Sequence, residues 1–241
     1  MKIIAAIPAR YQSTRLPGKL MANLGGQTVI SCTVENTKAM EIFDEVVVVT
    51  DSDEISKELE GRCKVYKSRQ KHICGTDRIA EFSEEFDADI VINVQGDEPF
   101  LKKADIQSII IEFEEDQDRK IDVISLRHEI NKEMERRNPN YVKVVSSLED
   151  YALYFSRSNI PFRREQTDFP TYRHIGIYAF RKDALVRFSK QKPTPLEKLE
   201  VIEALRILEM GMKFKMLDAK DLTIGIDTEE DLIWANEYLE Q

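Results

Sequence analysis

Residues 3–19 of the chain read IIAAIPARYQSTRLPGK, and this stretch decides the fold. The apolar run at 3–7 predicts a buried strand, and the polar segment after it predicts a loop at the carboxyl end of that strand. In an open α/β sheet this edge is where ligands bind. The loop carries the cations Arg10, Arg15 and Lys19 and the hydroxyls of Ser13 and Thr14, and no acidic residue. A basic loop at this edge favours a polyanionic ligand, with a nucleoside triphosphate as the leading candidate.

Composition limits the class of protein. The chain has 241 residues, of which 42% are hydrophobic and 33% charged, and its net charge is −9. This size and balance predict a globular core with neither disorder nor a membrane span, and the acidic charge argues against nucleic acid as a partner. The amino terminus enters the first strand directly, which predicts no signal peptide. An odd number of widely spaced cysteines, at 32, 63 and 74, favours a reducing cytoplasm over a disulfide framework or a zinc site.

Strands and helices alternate through the first half of the chain. The expected strands are 2–7, 45–50, 63–66 and 90–94, and the expected helices are 28–39, 54–61, 77–86 and 104–115. This alternation predicts an α/β fold with a mostly parallel sheet and helices on both faces.

The alternation breaks after about residue 121. The expected later elements are strands at 123–126, 142–146, 173–180, 213–217 and 222–226, a helix at 197–210 and a final helix that begins at Thr228. The long helix would bury Leu199, Ile202, Leu205 and Leu208 on one face. We therefore predict one domain over residues 1–241, with an antiparallel excursion over about 127–180.

Two carboxylates are expected at the ligand-binding edge. Asp97 follows an apolar strand in VQGDEP at 94–99, and Asp227 follows a short strand in GIDT at 225–228. A turn aspartate and a helix cap are the simpler interpretations of each residue alone. Together, two carboxylates beside a triphosphate are suited to bind Mg²⁺, as phosphoryl or nucleotidyl transfer requires.

Two further constellations suit a nucleotide and a sugar acid. The segment CGTDR at 74–78 leads into a helix and offers backbone N–H groups, a hydroxyl and an arginine to a base or a phosphate. The segments YFSR at 154–157 and YRHIGIY at 172–178 combine arginines, tyrosines and one histidine, which suits a polyhydroxylated acid. The other histidines, His72 and His128, are expected at the surface.

Seven motifs in order resemble one enzyme family. They are IPARYQSTRLPGK at 7–19, CGTDRIAE at 74–81, VQGDEP at 94–99, YALYFSRSNIPF at 151–162, RHIGIYAFR at 173–181, LEKLEVIEALR at 196–206 and GIDTEEDL at 225–232. In this set the chain resembles the 3-deoxy-manno-octulosonate (Kdo) cytidylyltransferases across its length. The resemblance implies a Rossmann-like nucleotidyltransferase fold and a homodimer built through the excursion, which would also bind the sugar.

The resemblance also implies the reaction and the residues that perform it. The anomeric hydroxyl of Kdo would attack the α-phosphorus of CTP and give CMP-Kdo and pyrophosphate for lipopolysaccharide synthesis. Nucleotide binding would fall to Ala9, Arg10, Ser13, Lys19, Thr76 and Arg78, with Lys19 the catalytic cation. The carboxylates of Asp97 and Asp227 would bind Mg²⁺ and count as catalytic. The sugar-acid pocket would be lined by Gln95, Arg157, His174, Tyr178 and Glu203.

Two departures from the family pattern bear on the substrates, the first on a nucleotide-side hydrogen bond and the second on the acceptor. Cys74 stands where serine is common, and Ala204 stands where glutamine is usual. Loss of a glutamine amide removes a hydrogen bond to a substrate hydroxyl or makes room for an altered one. The short segment at 164–172 also resembles members that use 8-amino-3,8-dideoxy-manno-octulosonate, so that acid or another ulosonic acid is the alternative acceptor. A non-catalytic nucleotide-binding regulator is the second alternative.

Overall fold

The computed structural model describes residues 1–13, 15–165, 169–220 and 225–240. Within them the chain divides into two compact units. The first unit holds residues 1–103 and 225–240, and the second holds residues 104–220. The single domain expected over residues 1–241 stays a prediction.

Strands occur in both units. In chain order those of the described residues are β1 (Ile3–Ala9), β2 (Asn23–Leu24), β3 (Gln27–Thr28), β4 (Glu45–Thr50), β5 (Lys64–Lys67), β6 (Ile90–Asn93), β7 (Val123–Glu129), β8 (Lys143–Ser146), β9 (Ala152–Ser156), β10 (Tyr172–Arg181) and β11 (Phe214–Asp218).

Helices alternate with these strands. They are α1 (Val29–Ala39), α2 (Asp53–Glu58), α3 (Gly75–Ala80), α4 (Lys103–Glu115), α5 (Glu133–Arg137), α6 (Lys182–Lys190), α7 (Pro195–Glu200), α8 (Ala204–Glu209) and α9 (Glu229–Leu239), with a 3₁₀ turn at Lys19–Met21. None of the helices in the described ranges has the length and apolar character that a membrane span needs.

The first unit is built on a parallel sheet. Its strands lie in the order β6-β1-β4-β5, and each neighbouring pair is parallel. The apolar sequences of β1 and β4 place both strands in the core, where Val47, Val48 and Val49 are fully buried. Strand β1 runs two residues past its predicted end because Pro8 and Ala9 still pair with β4. The carboxyl ends of β1 and β6 therefore open at the same edge of the sheet, as predicted.

Helix α3 differs from the prediction of a helix over 77–86. It begins two residues earlier because the Cys74 thiol accepts a hydrogen bond from the Asp77 N–H, which caps the first turn. It ends at Ala80, where the N–H groups of Phe82 and Ser83 donate three residues back, at 3.0 and 3.1 Å, and tighten the chain into turns. The core contact expected of Phe82 is nevertheless made, since this side chain is buried.

The second unit contains the antiparallel pairings. Strand β10 pairs antiparallel with β7 and β8, and β8 pairs antiparallel with β9, whereas β11 lies parallel to β7. This mixture agrees with the predicted change from parallel to antiparallel strands. Three elements of this unit, α5, β9 and α6, were not expected from the sequence. The strand expected at 222–226 falls largely outside the described residues.

The long helix expected over 197–210 is wrong, because the chain breaks it into α7 and α8. Val201 adopts a left-handed conformation with φ of 55° and ends α7. The break lets the Arg206 guanidinium reach the Glu197 carboxylate with hydrogen bonds of 2.7 and 2.5 Å, and both side chains are buried. Ile202 is buried as expected, but Leu199 lies at the surface with 78% exposure.

The conformation of Val201 leads to a stability prediction. A β-branched residue at positive φ is strained, whereas glycine adopts that backbone without cost. We expect Val201→Gly to raise the free energy of unfolding by about 1 kcal/mol relative to Val201→Ala. The alanine variant is the matched control, since it removes the same exposed side chain but keeps the strain. Urea unfolding of both variants measures the difference, and equal stabilities would contradict the assignment of strain.

Candidate active site

A cavity of about 150 Å³ opens at the carboxyl ends of β1 and β6. Its lining comes entirely from the first unit and comprises Pro8, Arg10, Lys19, Leu20, His72, Ile73, Cys74, Gly75, Arg78, Gln95, Gly96 and Asp97. Three of these side chains are cations and one is a carboxylate. The cavity is therefore suited to an anionic ligand, as the basic loop predicted.

Lys19 lies at the centre of the charged groups in this unit. The left-handed conformation of Gly18, with φ of 69°, turns the chain into the 3₁₀ turn that carries Lys19. The Lys19 side chain is only 11% exposed, and its ammonium donates hydrogen bonds to Asp97 and, at 2.9 Å, to Asp227 Oδ1. The Arg15 guanidinium contacts the same Asp227 oxygen at 3.0 Å. Burial lowers the pKa of Lys19, but the two carboxylates more than offset it, so the pKa is raised and the ammonium stays charged.

The backbone brings the two carboxylates together. Gly96 approaches β1 so closely that a Cβ at this position would lie 3.1 Å from the Pro8 carbonyl oxygen. On the other side, the N–H of Ile226 donates to the Asp97 carbonyl oxygen at 2.8 Å. This bond holds the segment that carries Asp227 against the Asp97 loop. The predicted meeting of Asp97 and Asp227 at one edge is therefore present.

The donor chemistry of this pair fits a magnesium ion that a nucleotide brings with it. Asp97 and Asp227 both bind the Lys19 ammonium, and Asp227 also contacts Arg15, so their oxygens already face positive charge. Within the described part of the chain no group of three His, Cys, Asp or Glu side chains is placed to hold a metal. Magnesium commonly takes one or two carboxylates and completes its shell with phosphate oxygens and water. The pair thus suits a site that a triphosphate completes.

The residues of the predicted nucleotide-binding loop differ in how far they are exposed. Arg10 is exposed and lines the cavity, Ser13 is half-buried, and Thr14 lies outside the described residues. The Ala9 side chain is fully buried, and its carbonyl oxygen accepts a hydrogen bond from Arg78 at 3.3 Å. Arg10 and Ser13 therefore remain candidates for direct contact with a ligand, whereas Ala9 takes part through its backbone.

The residues expected at the cytidine end are buried and tied to the strands. The Thr76 hydroxyl accepts from Asn93 Nδ2 at 3.0 Å. Gln95, which was expected in the sugar-acid pocket, lies beside it and donates from Nε2 to Asn93 Oδ1 at 3.0 Å. The Arg78 guanidinium donates to Asp51 Oδ1 at 2.7 Å. Burial raises the pKa of Asp51, but the hydrogen bond and charge of Arg78 outweigh it and lower the pKa. Arg78 and Gln95 both reach the cavity, so the wall at this side is rigidly held.

His72 is a cavity residue that the sequence interpretation missed. It was expected at the surface, but its side chain is 6% exposed and its Nε2 lies 2.8 Å from Glu81 Oε2. The available indication that His72 lines the cavity was its position two residues before Cys74, the first residue of the CGTDR segment. His128, also expected at the surface, is half-buried near the Ala219 carbonyl oxygen.

In the second unit, His174 and Tyr178 lie together in an aromatic cluster. Their ring centroids are 5.2 Å apart, and Phe155 and Phe214 pack against the same rings. His174 Nε2 lies 2.8 Å from the Ser125 hydroxyl oxygen. Burial of the ring lowers the pKa of His174 from 6.5 to about 3. The imidazole is therefore neutral at physiological pH and offers hydrogen bonds rather than charge.

This neutral imidazole predicts a pH dependence of stability. Below pH 6.5 the unfolded chain protonates His174, whereas the folded chain keeps it neutral until about pH 3. The free energy of unfolding should thus decrease as the pH is lowered from 6.5. His174→Gln should reduce the slope of this pH dependence by up to about 1.4 kcal/mol per pH unit. Urea unfolding between pH 5 and 6.5 measures the slopes, and pH 8, where both states are neutral, gives the loss of packing alone. Parallel curves for both proteins would contradict the prediction.

The remaining predicted sugar-acid residues are Arg157 and Glu203. The Arg157 guanidinium donates to the carbonyl oxygens of Glu200, Pro139 and Val201 at 2.8 to 3.1 Å. These bonds use three of its five N–H donors. Glu203 is half-buried at the amino-terminal end of α8.

Ala204, the departure from the family pattern, is fully buried. The expectation that residue 204 tunes a sugar contact stays a prediction. The segment at 164–172, which pointed to an amino sugar, includes residues 166–168, and these lie outside the described residues.

Comparison with known proteins gives full-length matches. Residues 4–214 match the Cytidylyltransferase family. The chain is similar to the 3-deoxy-manno-octulosonate cytidylyltransferases of Christiangramia forsetii, at 48% identity over 99% of this chain and 97% of that protein, and of Flavobacterium johnsoniae, at 51% identity over 96% of each. Among solved structures it is similar to a CMP:2-keto-3-deoxy-manno-octonic acid synthetase complexed with CTP, with a TM-score of 0.93 and 33% identity over 100% of this chain and 99% of that one.

Proposed function

The chain belongs to the 3-deoxy-manno-octulosonate cytidylyltransferase family, and on this basis we propose that it transfers CMP from CTP to Kdo. The products are CMP-Kdo and pyrophosphate, and CMP-Kdo serves lipopolysaccharide synthesis. Membership confirms the predicted enzyme class, a nucleotidyltransferase, and the structural match confirms the predicted α/β nucleotidyltransferase fold.

The observation that carries the proposal is the position of Lys19 between Asp97 and Asp227. Nucleotidyl transfer builds negative charge on the transferring phosphoryl group, and positioned cations stabilise that charge. A buried ammonium beside two carboxylates, in a cavity with Arg10 and Arg78, provides such a cation and a place for a metal.

The proposed reaction is a single displacement at phosphorus. The anomeric oxygen of Kdo forms a bond to the α-phosphorus, the bond from that phosphorus to the β-bridging oxygen breaks, and pyrophosphate leaves. The hydroxyl proton passes to solvent water as the new bond forms. Lys19 donates to the α-phosphate, whereas Arg10 and Ser13 bind the other phosphates. Thr76 and Arg78, with the Ala9 backbone, hold the cytidine side in place.

Magnesium is the proposed cofactor, and Asp97 and Asp227 would hold it. When bound, the ion neutralises phosphate charge and orients the triphosphate. The Lys19 ammonium has three N–H donors, and the two carboxylates accept from two of them, so the third can donate to a phosphate. The chain's own contribution is thus an ammonium that the carboxylates hold in place for the phosphate.

We propose that Gln95, Arg157, His174, Tyr178 and Glu203 recognise the sugar acid. Arg157 is the candidate partner for the acid's carboxylate, because three carbonyl oxygens fix its orientation while the contacts of the described residues use only three of its N–H donors. The neutral imidazole of His174 and the Tyr178 hydroxyl suit the sugar's hydroxyl groups.

Three further features complete the proposal: the domain organisation, the cellular location and the oligomeric state. The two compact units act together as one cytidylyltransferase domain. The enzyme works in the cytoplasm, where CTP is made, and its three cysteines are thiols there. It forms a homodimer through the excursion at about 127–180, where Leu153 and Phe162 are exposed apolar side chains. Sedimentation at several concentrations tests the dimer.

The test of the function is product formation from defined substrates. We expect the purified protein with CTP and Mg²⁺ to release pyrophosphate when Kdo is added, and mass spectrometry to detect CMP-Kdo. The 8-amino acid and a sialic acid serve as comparison acceptors, and UTP and ATP as comparison nucleotides. Faster release with the 8-amino acid would reassign the acceptor. If none of the acids led to pyrophosphate release, the result would contradict the proposal and favour a nucleotide-binding regulator.

A further inference from the structure

Beside the cavity lies a cluster of hydrogen-bonded groups that the proposed mechanism does not use. The Glu81 carboxylate accepts three hydrogen bonds from one loop: from the Ser68 hydroxyl at 2.6 Å, the Arg69 N–H at 3.0 Å and His72 Nε2 at 2.8 Å. We name this group, Glu81 with Ser68, Arg69 and His72, the Glu81 clamp. It ties the end of α3 to the loop that precedes the helix.

The carboxylate and the imidazole of the clamp are largely shielded from water. The side chains of His72 and Glu81 are 6% and 10% exposed. Burial raises the pKa of Glu81, but the hydrogen bonds from Ser68, His72 and Arg69 outweigh it and lower the pKa. An ionised carboxylate only accepts hydrogen bonds, so His72 Nε2 carries a hydrogen and donates it. Three donors converge on two oxygens, which fixes the loop by buried, charge-assisted bonds.

The clamped loop forms one wall of the cavity. His72, Ile73 and Cys74 all line the cavity, and the loop passes directly into Gly75 at the start of α3. Gly75 packs against β1, where a Cβ would lie 3.0 Å from Pro8 Cγ. One end of the wall is thus fixed by packing on the sheet, and the other end is fixed by Glu81.

We propose that Glu81 and His72 are positioning residues for the nucleotide, which hold the 72–74 wall in the conformation that CTP needs. The inference rests on the proposed function only in taking CTP as the ligand. The clamp acts through the shape of the wall and contributes no group to the reacting atoms. Its loss therefore weakens the binding of ground state and transition state alike.

The test compares the effect of a substitution on the affinity for CTP with its effect on kcat. Glu81→Gln replaces one accepting oxygen by an amide that donates, so at least one buried donor of the loop loses its partner. We expect the KM for CTP, and the Kd from calorimetry without acceptor, to rise about tenfold, while kcat at saturating CTP changes less than about twofold. Unchanged CTP affinity, or an equal fall in kcat, would overturn the proposal.

Two further variants separate positioning from general damage. Glu85→Gln removes the same charge from an exposed pair with Arg69 of the same loop, at 3.5 Å, and should leave CTP affinity unchanged. At residue 72, glutamine keeps an N–H that can donate to Glu81, whereas alanine does not. We expect His72→Ala to weaken CTP binding and His72→Gln to restore most of it. Equal weakening by both would show that His72 does not act through Glu81 and would overturn the proposal.

The outcomes also separate this proposal from the proposed function. CTP binding that the clamp variants weaken, in a protein that makes no CMP-Kdo, would support the clamp and contradict the function. Formation of CMP-Kdo with CTP affinities unchanged in the variants would overturn the clamp alone. A wild-type protein that does not bind CTP would overturn both.

Discussion

Lys19→Met is expected to lower kcat by about 10²- to 10³-fold, while the KM for CTP rises much less. The ammonium is held in a buried position before the nucleotide arrives, so it needs little reorganisation when charge develops on the α-phosphate. An interaction that strengthens in the transition state appears mainly in kcat. Pyrophosphate release at saturating CTP and Kdo measures the effect, and calorimetry with CTP measures binding separately.

The control for this variant is Lys71→Met, which removes a positive charge from an exposed side chain in the same unit. We expect it to turn over at the wild-type rate. If Lys19→Met changed KM alone, Lys19 would be a binding residue with no part in catalysis. Such a result would leave the family assignment intact and remove only the proposed role of this residue.

The fold of the first unit was predictable because its signals are local. The valine-rich sequence of β4 and the apolar residues of β1 can only be buried strands, and their bounds agree with the structure within two residues. The helix starts expected at Thr28 and Thr228 likewise agree with the structure, in which these two residues are the N-caps of α1 and α9.

The elements that sequence reasoning missed depend on contacts between distant residues. The break at Val201 gives up a helical turn, and the buried pair of Arg206 with Glu197 forms across it. Helical periodicity over 197–210 carries no information about that pair. Likewise, nothing in the local sequence shows that His72 is enclosed, because its partner Glu81 lies nine residues further on and is brought back by α3.

The sequence was sufficient to predict the edge of the sheet at which the candidate site lies, but not the contacts within the site. Strand ends in a parallel sheet meet at one edge, and this rule placed the basic loop, Asp97 and Asp227 together. The rule does not say which groups touch. That Lys19 lies between both carboxylates depends on the turn at Gly18 and on the bond from the Ile226 N–H to the Asp97 carbonyl.

Asp97→Asn and Asp227→Asn are each expected to lower turnover by about 10³-fold or more, since loss of a carboxylate from a metal site removes several kcal/mol of charge stabilisation. Asparagine keeps the shape of the side chain and an oxygen that can accept from Lys19, but it loses the negative charge. The larger effect should come from Asp97, because its side chain is 23% exposed against 42% for Asp227 and its charge is less screened.

The metal role of the two carboxylates has its own measurement. With CTP present, both variants should bind Mn²⁺, a spectroscopic substitute for Mg²⁺, at least about tenfold more weakly than the wild-type protein, as paramagnetic resonance can record. The control is Asp53→Asn, whose carboxylate is 97% exposed and pairs with Lys67 at the surface. Near wild-type turnover at saturating Mg²⁺ in either variant would remove that residue from the metal site. A loss of turnover with Mn²⁺ affinity unchanged would instead assign the carboxylates to the placement of Lys19, since both hold its ammonium.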